Sequence, residues 1–391
     1  MEKKRIYLDY AATTPVEPRV LEAMLPYFFE SFGNPSSIHS YGQRAETALE
    51  NSRAIVAEAL NCQVNEILFT SGGTESNNLA LRGVALARRQ QRGANHILTT
   101  PVEHPAVLNT VRQLADIHGF EVELLAVDRF GRVDLEDVAS RIRSDTALVS
   151  IIYANNEIGT INPIHEISRI CKHKGIPLHS DAVQAVAYLP INLQELQVDL
   201  LSIGAHKFYG PKGVGILFVR KETPLVPVQT GGSQEFGLRA GTSNIPYIVG
   251  LAAALRIAVE ERQQRTDHVM PLRDRLISQI LEQIPDCQLI GHPVLRLPNH
   301  ASIVFRHVDG NSLLMLLDSH GFACSSGSAC KVGNPEPSDV LLALGLEKEW
   351  ALGSLRITLG NGTTVEQINE FTRFLPLAIS EARKFHSYTV A

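Results

Sequence analysis

The sequence predicts an α/β protein: a large doubly wound layer built on a seven-stranded, mostly parallel sheet, joined to a smaller α+β layer. Between about Gln43 and Phe218, short β-branched or apolar runs alternate with segments whose apolar residues recur at helical spacing. Residues able to do chemistry follow directly after those runs, where open α/β sheets bind their ligands. Beyond Thr242 the alternation gives way to one long helical stretch.

In chain order, Ile6-Tyr-Leu is strand-like, and seven strands follow. They run Glu66 to Thr70, His96 to Thr99, Glu121 to Val127, Ala147 to Tyr153, Ile176 to Ser180, Asp199 to Ile203 and Gly215 to Val219. Ala45 to Leu60, Thr74 to Arg89 and Pro163 to His173 carry apolar stripes of helical period. Pro246 to Ile284 reads as helix, with Pro271 as its kink or break because proline lacks the N–H that continues the ladder. Strands near Ser302 to Phe305 and Leu355 to Thr358, with helices near Ser312 to Ser319 and Val365 to Lys384, make the smaller layer. A chain of 391 residues exceeds what one core organises. The expected division is a large domain over 16–260 and a small domain over 1–15 and 261–391.

Composition narrows the function. Hydrophobic residues at 44% and charged residues at 20% suit a globular enzyme. The net charge of -5 comes from 36 basic and 41 acidic residues without a basic run, so nucleic acid is not an expected partner. No segment approaches the roughly 20 apolar residues of a membrane span, and the start lacks the apolar core of a secretory signal. A reducing cytoplasm is the expected compartment. The five cysteines are scattered and odd in number, which argues against a disulfide framework.

Five motifs carry chemistry. Phe69-Thr-Ser-Gly-Gly-Thr-Glu-Ser-Asn-Asn78 ends a strand in a glycine pair and opens a helix, aiming free amides at an anion. Gly73 permits close approach, and Thr74 can cap the helix or donate to a phosphate. Leu178-His-Ser-Asp-Ala-Val-Gln184 delivers Asp181 and Gln184 into the same crevice, where the acid needs a cationic partner. A protonated pyridine nitrogen would serve.

Ser202-Ile-Gly-Ala-His-Lys-Phe-Tyr-Gly-Pro-Lys-Gly213 places Lys207 after a strand among small residues, where burial favours the neutral amine that imine formation requires. Lys212 is the competing amine. Thr100-Pro-Val-Glu-His104 sets His104 at the head of a helix, able to stack on a flat cofactor and to move protons, with Glu103 as the alternative acid. In Phe322-Ala-Cys-Ser-Ser-Gly-Ser-Ala-Cys330-Lys-Val-Gly-Asn-Pro-Glu-Pro-Ser338, Cys330 stands among Gly, Ser and Pro beside Lys331, which favours its thiolate. Cys324 reads as core. Their spacing exceeds the roughly two to four intervening residues of a zinc pair, so no metal is expected.

In this order the motifs resemble the cysteine desulfurases of the NifS and IscS type, in the class V aminotransferase group. The likeness runs from Tyr7-Leu-Asp-Tyr-Ala-Ala-Thr-Thr-Pro15 through Asn155-Asn-Glu-Ile-Gly159 to Arg356. It implies fold type I architecture, pyridoxal 5'-phosphate as cofactor, L-cysteine as substrate and a homodimer with active sites at the subunit interface. By that resemblance Lys207 carries the cofactor as a Schiff base, Asp181 pairs with the pyridinium, Gln184 contacts the ring hydroxyl and His104 stacks on the ring. Gly73, Thr74 and His206 hold the phosphate, with Thr242 of Arg239-Ala-Gly-Thr242 reaching the partner subunit's phosphate. Asn155 and Arg356 hold the substrate carboxylate, and Cys330 accepts the sulfur for delivery to an acceptor protein, in iron-sulfur cluster assembly or tRNA thiolation.

Two departures from the family stand out. Gly204 occupies a position that is serine in many members, and the chain stops at Phe385-His-Ser-Tyr-Thr-Val-Ala391, short of the tail some relatives use to dock a scaffold. A selenocysteine lyase or a class V aminotransferase would share the cofactor residues, and a non-enzymatic sulfur carrier would need only the cysteine.

Overall fold

The computed structural model describes residues 5–327 and 336–389. Its strands are β1 (Ile6–Tyr7), β2 (Ile67–Thr70), β3 (His96–Thr99), β4 (Glu121–Leu124), β5 (Thr146–Ser150), β6 (Leu178–Asp181), β7 (Leu200–Gly204), β8 (Gly215–Val219), β9 (Cys287–Ile290), β10 (His300–Phe305), β11 (Phe322–Ala323) and β12 (Ser354–Thr358). Seven of them form the large sheet in the order β2-β8-β7-β6-β5-β3-β4. Only β8 runs against its neighbours, pairing antiparallel with both β2 and β7. The six others point their carboxyl ends the same way.

Register decides which strand ends meet. Asp181 of β6 lies opposite Ser202 of β7, while Gly215 of β8 is the partner of both Gly204 and Thr70. The turn after β2 is thereby brought beside the turn after β7. Helices Gly73–Arg92, Pro105–His118 and Ile164–Lys174 cover the sheet. Both faces are apolar: β2, β3, β5, β7 and β8 are buried along their whole length, as parallel strands covered by helices on both sides must be.

The smaller sheet is antiparallel in the order β12-β10-β9, and β1 pairs in parallel with β11. One apolar core spans both sheets, from Ile6 and Leu8 through Leu201 and Phe208 to Ile303 and Phe371. Among the described residues, no helix is long and apolar enough to cross a membrane.

Pro271 does not break the long helical stretch. Helix Ile245–Glu260 ends at Glu261, whose φ/ψ of -98°/5° is non-helical, and helix Arg262–Gln283 runs through Pro271. Pro271 and Asp267, the residue whose carbonyl loses its partner, are both exposed, so water replaces the missing hydrogen bond. At the actual break, Glu261 accepts from Arg19 at 2.8 Å and from Arg265 at 3.3 Å.

Candidate active site

The carboxyl ends of β2, β6 and β7 open on a cavity of about 240 Å³ whose lining includes Gly73, Thr74, His104, Asp181, Gln184, His206, Lys207 and Arg356. Eight of the sequence-predicted site residues therefore meet in one place. Ala11, Ala12, Asn77, Ile152, Asn156 and Val183 complete its lining.

The anion cradle is the start of helix Gly73–Arg92. Gly72 is the N-cap and makes no side-chain cap, so Thr74 is the second helical residue and not the cap the sequence suggested. Its hydroxyl is left for a ligand. The first-turn amides have no intrahelical acceptor and form a positive end. A Cβ on Gly73 would sit 2.5 Å from Val183 Cγ2, so only glycine lets the backbone close against that side chain.

Lys207 follows β7 and donates to the carbonyls of Ala11 at 2.6 Å and Ala12 at 2.8 Å. Burial, with the positive charge of Arg356, pushes its amine down to about 8, against the opposing pull of Asp9 and Asp181. A substantial neutral fraction at mildly basic pH makes it a nucleophile. Lys207 is the only lysine in the cavity lining among the described residues. Lys212 is absent from that lining.

Asp181, 4% exposed, accepts from Asn77 Nδ2 at 2.7 Å and from the Val183 amide at 3.0 Å. Two donors meet the hydrogen-bonding needs of a buried carboxyl group. Gln184 Nε2 donates to Ala11 O at 2.8 Å. His104 caps helix Pro105–His118, its Nδ1 accepting from the Ala106 amide at 3.1 Å. Burial lowers its pKa, so the ring is neutral and its proton resides on Nε2. Glu103, the alternative acid, is 1% exposed and lies behind the wall, accepting from Thr100 Oγ1 and the Ile152 amide at 2.8 Å each. Burial pushes it up to about 8. His206, driven down to about 4 by burial, pairs its Nδ1 with Thr13 Oγ1 at 3.2 Å.

Arg356 enters the lining from β12. Its Nη2 donates to Asp9 Oδ1 at 2.9 Å and its Nη1 to the Asn156 carbonyl at 3.1 Å, while Nε is buried without a partner. Asn155 does not join it. Asn155 is fully buried, its Nδ2 bound to Val102 O at 2.7 Å and its Oδ1 taken by the amides of Glu157 and Ile158. That amide folds the turn, and the neighbour Asn156 lines the cavity instead. Thr242 is exposed on a separate cleft with Ser71, Arg239 and Ser243. Cys330 lies outside the described residues. Cys324 packs against the main core, and burial raises its thiol pKa.

The N-terminal motif supplied groups that no side-chain pattern announced. The carbonyls of Ala11 and Ala12 hold the lysine, Asp9 holds the arginine, and Thr13 and Thr14 hold His206. The density of the Tyr7 to Pro15 motif was the available signal; the roles of two main-chain oxygens were not.

These groups fit pyridoxal phosphate. Gly73 makes a cradle that a Cβ would fill, Lys207 offers a buried amine, Asp181 stands ready for a buried cation, and Asn77 Oδ1 is buried without a partner. The class-V aminotransferase family matches residues 6–371. A cysteine desulfurase IscS of Dictyoglomus turgidum is 48% identical, covering 99% of this chain and 97% of its own. An IscS of Methanosarcina thermophila is 46% identical over 99% and 95%. Among solved structures, a NifS-like protein superposes with a TM-score of 0.90 at 40% identity, covering 96% of this chain and all of that one. SspA in complex with cysteine does so at 0.79 and 35%, over 92% and 99%. With its lysine, acid and phosphate cradle in one crevice, this chain belongs to the class-V aminotransferase family, among the cysteine desulfurases, and its cofactor is pyridoxal phosphate.

Proposed function

We propose that the protein takes sulfur from L-cysteine, releases L-alanine, and carries the sulfur as a persulfide on Cys330 to an acceptor protein. The observation that carries this is one cavity lined by Lys207, Asp181 and Arg356, an amine, an acid and a guanidinium that together suit an amino acid held beside the cofactor. Bound pyridoxal phosphate supplies the electron sink that lets the Cα–H and then the C–S bond of the substrate break.

The chain's own residues do the rest. The first-turn amides, Thr74 and His206 would hold the phosphate, Asp181 would pair with the protonated ring nitrogen, and Gln184 would orient the ring hydroxyl. Lys207 Nζ anchors the cofactor and then moves the Cα proton. Arg356, whose guanidinium is in the cavity lining, takes the substrate carboxylate. With Nδ1 bound to the helix, His104 acts as a donor at Nε2, not as the base for the substrate thiol. The Cys330 thiolate attacks the substrate sulfur, forming S–S as C–S breaks, and the electron pair ends in a C–H bond of alanine after protonation.

The division into a domain of 16–260 and one of 1–15 with 261–391 is supported by the helix break at Glu261 and the pairing of β1 with β11. A homodimer is supported by a ridge of exposed Leu21, Leu25, Phe28, Phe29, Phe32 and Ile38, the last 94% exposed; such a patch marks an interface. Thr242 on the same kind of open surface suits a contact to a partner's phosphate. A reducing cytoplasm suits a persulfide carrier, and iron-sulfur assembly or tRNA thiolation the delivery.

Purified enzyme given L-cysteine should form L-alanine and a protein persulfide. Cys330→Ser should retain the visible absorbance of the lysine-held cofactor and lose the persulfide; full desulfuration by that variant would overturn the thiol assignment.

A further inference from the structure

Three segments remote in sequence converge on one carboxylate. Asp9 Oδ1 accepts from Arg356 Nη2 at 2.9 Å and its Oδ2 accepts from Ser325 Oγ at 2.7 Å. Asp9 is itself fixed: it is bridged to Thr358 of β12, and the Tyr7 hydroxyl donates to its carbonyl at 2.9 Å. Its side chain is 14% exposed, so water competes little for either bond. Ser325 and Arg356 are also joined through the main chain, Arg356 N to Ser325 O at 2.7 Å and Ser325 N to Arg356 O at 3.3 Å.

The chemistry of the junction is particular. Two donors, one of them cationic, meet two oxygens of one acid, and an amide in its place would turn a donor toward one of them. The arrangement holds Arg356 in the cavity lining, where an incoming carboxylate would meet its guanidinium. Ser325 stands five residues before Cys330 in the chain.

Resting on the reading of Arg356 as carboxylate holder and Cys330 as sulfur acceptor, we propose that Asp9 is a positioning residue that sets the substrate arginine and the approach to Cys330 from one carboxylate. Ser325 is the arm through which it acts on sulfur transfer. Arg356 and the chain at Ser325 are thus held in a common frame.

The test uses the holoenzyme and two readouts: persulfide on Cys330 in a single turnover with L-cysteine, by mass spectrometry, and L-alanine affinity from the cofactor's visible absorbance. Ser325→Ala should slow persulfide loading about tenfold, the scale of one hydrogen bond to a charged group, while L-alanine affinity stays within about twofold. Ser325→Thr, which keeps the hydroxyl, should restore loading. Asp9→Asn should slow loading at least as much and weaken L-alanine about tenfold. The double variant should load no more slowly than Asp9→Asn, because Ser325 acts only through Asp9.

Wild-type loading by Ser325→Ala, or losses that multiply in the double variant, would overturn the proposal; if Asp9→Asn does not fold, the two Ser325 variants decide alone. Failure of the underlying reading has a different signature. Persulfide retained in Cys330→Ser, or unchanged L-alanine binding in Arg356→Gln, removes the premise and the proposal with it. Intact premises with an indifferent Ser325 bring down the Asp9 assignment only.

Discussion

The two walls of the cavity are built differently. On the cofactor side, Gly73, Asp181 and Lys207 emerge at neighbouring strand ends, and the pairing of Gly215 with both Gly204 and Thr70 sets their spacing. On the substrate side, Arg356 is placed by side-chain bonds to Asp9 and by the Asn156 carbonyl, from segments 347 and 200 residues away. A wall set by sheet register keeps its geometry when one side chain changes. A wall tied by side chains loses geometry and chemistry together.

The largest effect that comparison predicts is at Lys207. Lys207→Ala leaves the crevice without a lysine among the described residues, so the visible absorbance of the held cofactor should vanish and turnover fall by ~10³-fold or more, the scale of losing a residue that acts in the chemistry. The fold should survive, as circular dichroism would show. On the opposite wall, Arg356→Gln should leave the absorbance intact and raise KM for L-cysteine by roughly 10- to 100-fold, the worth of a lost charged hydrogen bond. An unchanged KM would mean that the carboxylate binds elsewhere.

A pH series sharpens the cofactor wall. Lys207 is held at about 8, below the ordinary lysine value of 10.5, because burial disfavours its charged form. The neutral fraction, and with it the rate at which apoenzyme captures pyridoxal phosphate, should rise about tenfold per pH unit below 8 and level off above it. Stopped-flow absorbance would follow this, and a midpoint near 10.5 would contradict the burial. The smallest effect is at Gly204, where a Cβ would lie 3.4 Å from the Gly73 amide nitrogen and 3.6 Å from Val183 Cγ1, ordinary contacts. Gly204→Ser should therefore be accommodated and tighten the cofactor several-fold, about 1 kcal/mol for one added hydrogen bond; equilibrium dialysis would measure it.

Lys207, Asp181 and His104 were legible because each is a polar group delivered by a short apolar run, a place where a solvated side chain has no reason to be. Asn156 and not Asn155 is in the cavity lining because consecutive residues in a turn point in unrelated directions, and sequence carries no sign of which amide faces inward. Pro271 was overrated as a breaker because its effect depends on whether the orphaned carbonyl meets water or core. The choice between Glu103 and His104 likewise required knowing which one the cavity exposes.

By itself, the sequence determined the alternation of strand and helix, the crevice at the strand ends, and the polar residues that follow the strands. Those are local properties of period, spacing and residue type. Tertiary structure decided that Ala11 and Ala12 hold the lysine through their carbonyls, that Asn156 lines the cavity instead of Asn155, and that Asp9 joins Arg356 to Ser325. Each depends on contacts between segments far apart in the chain, or on which way a side chain turns, and neither is written in any single stretch of residues.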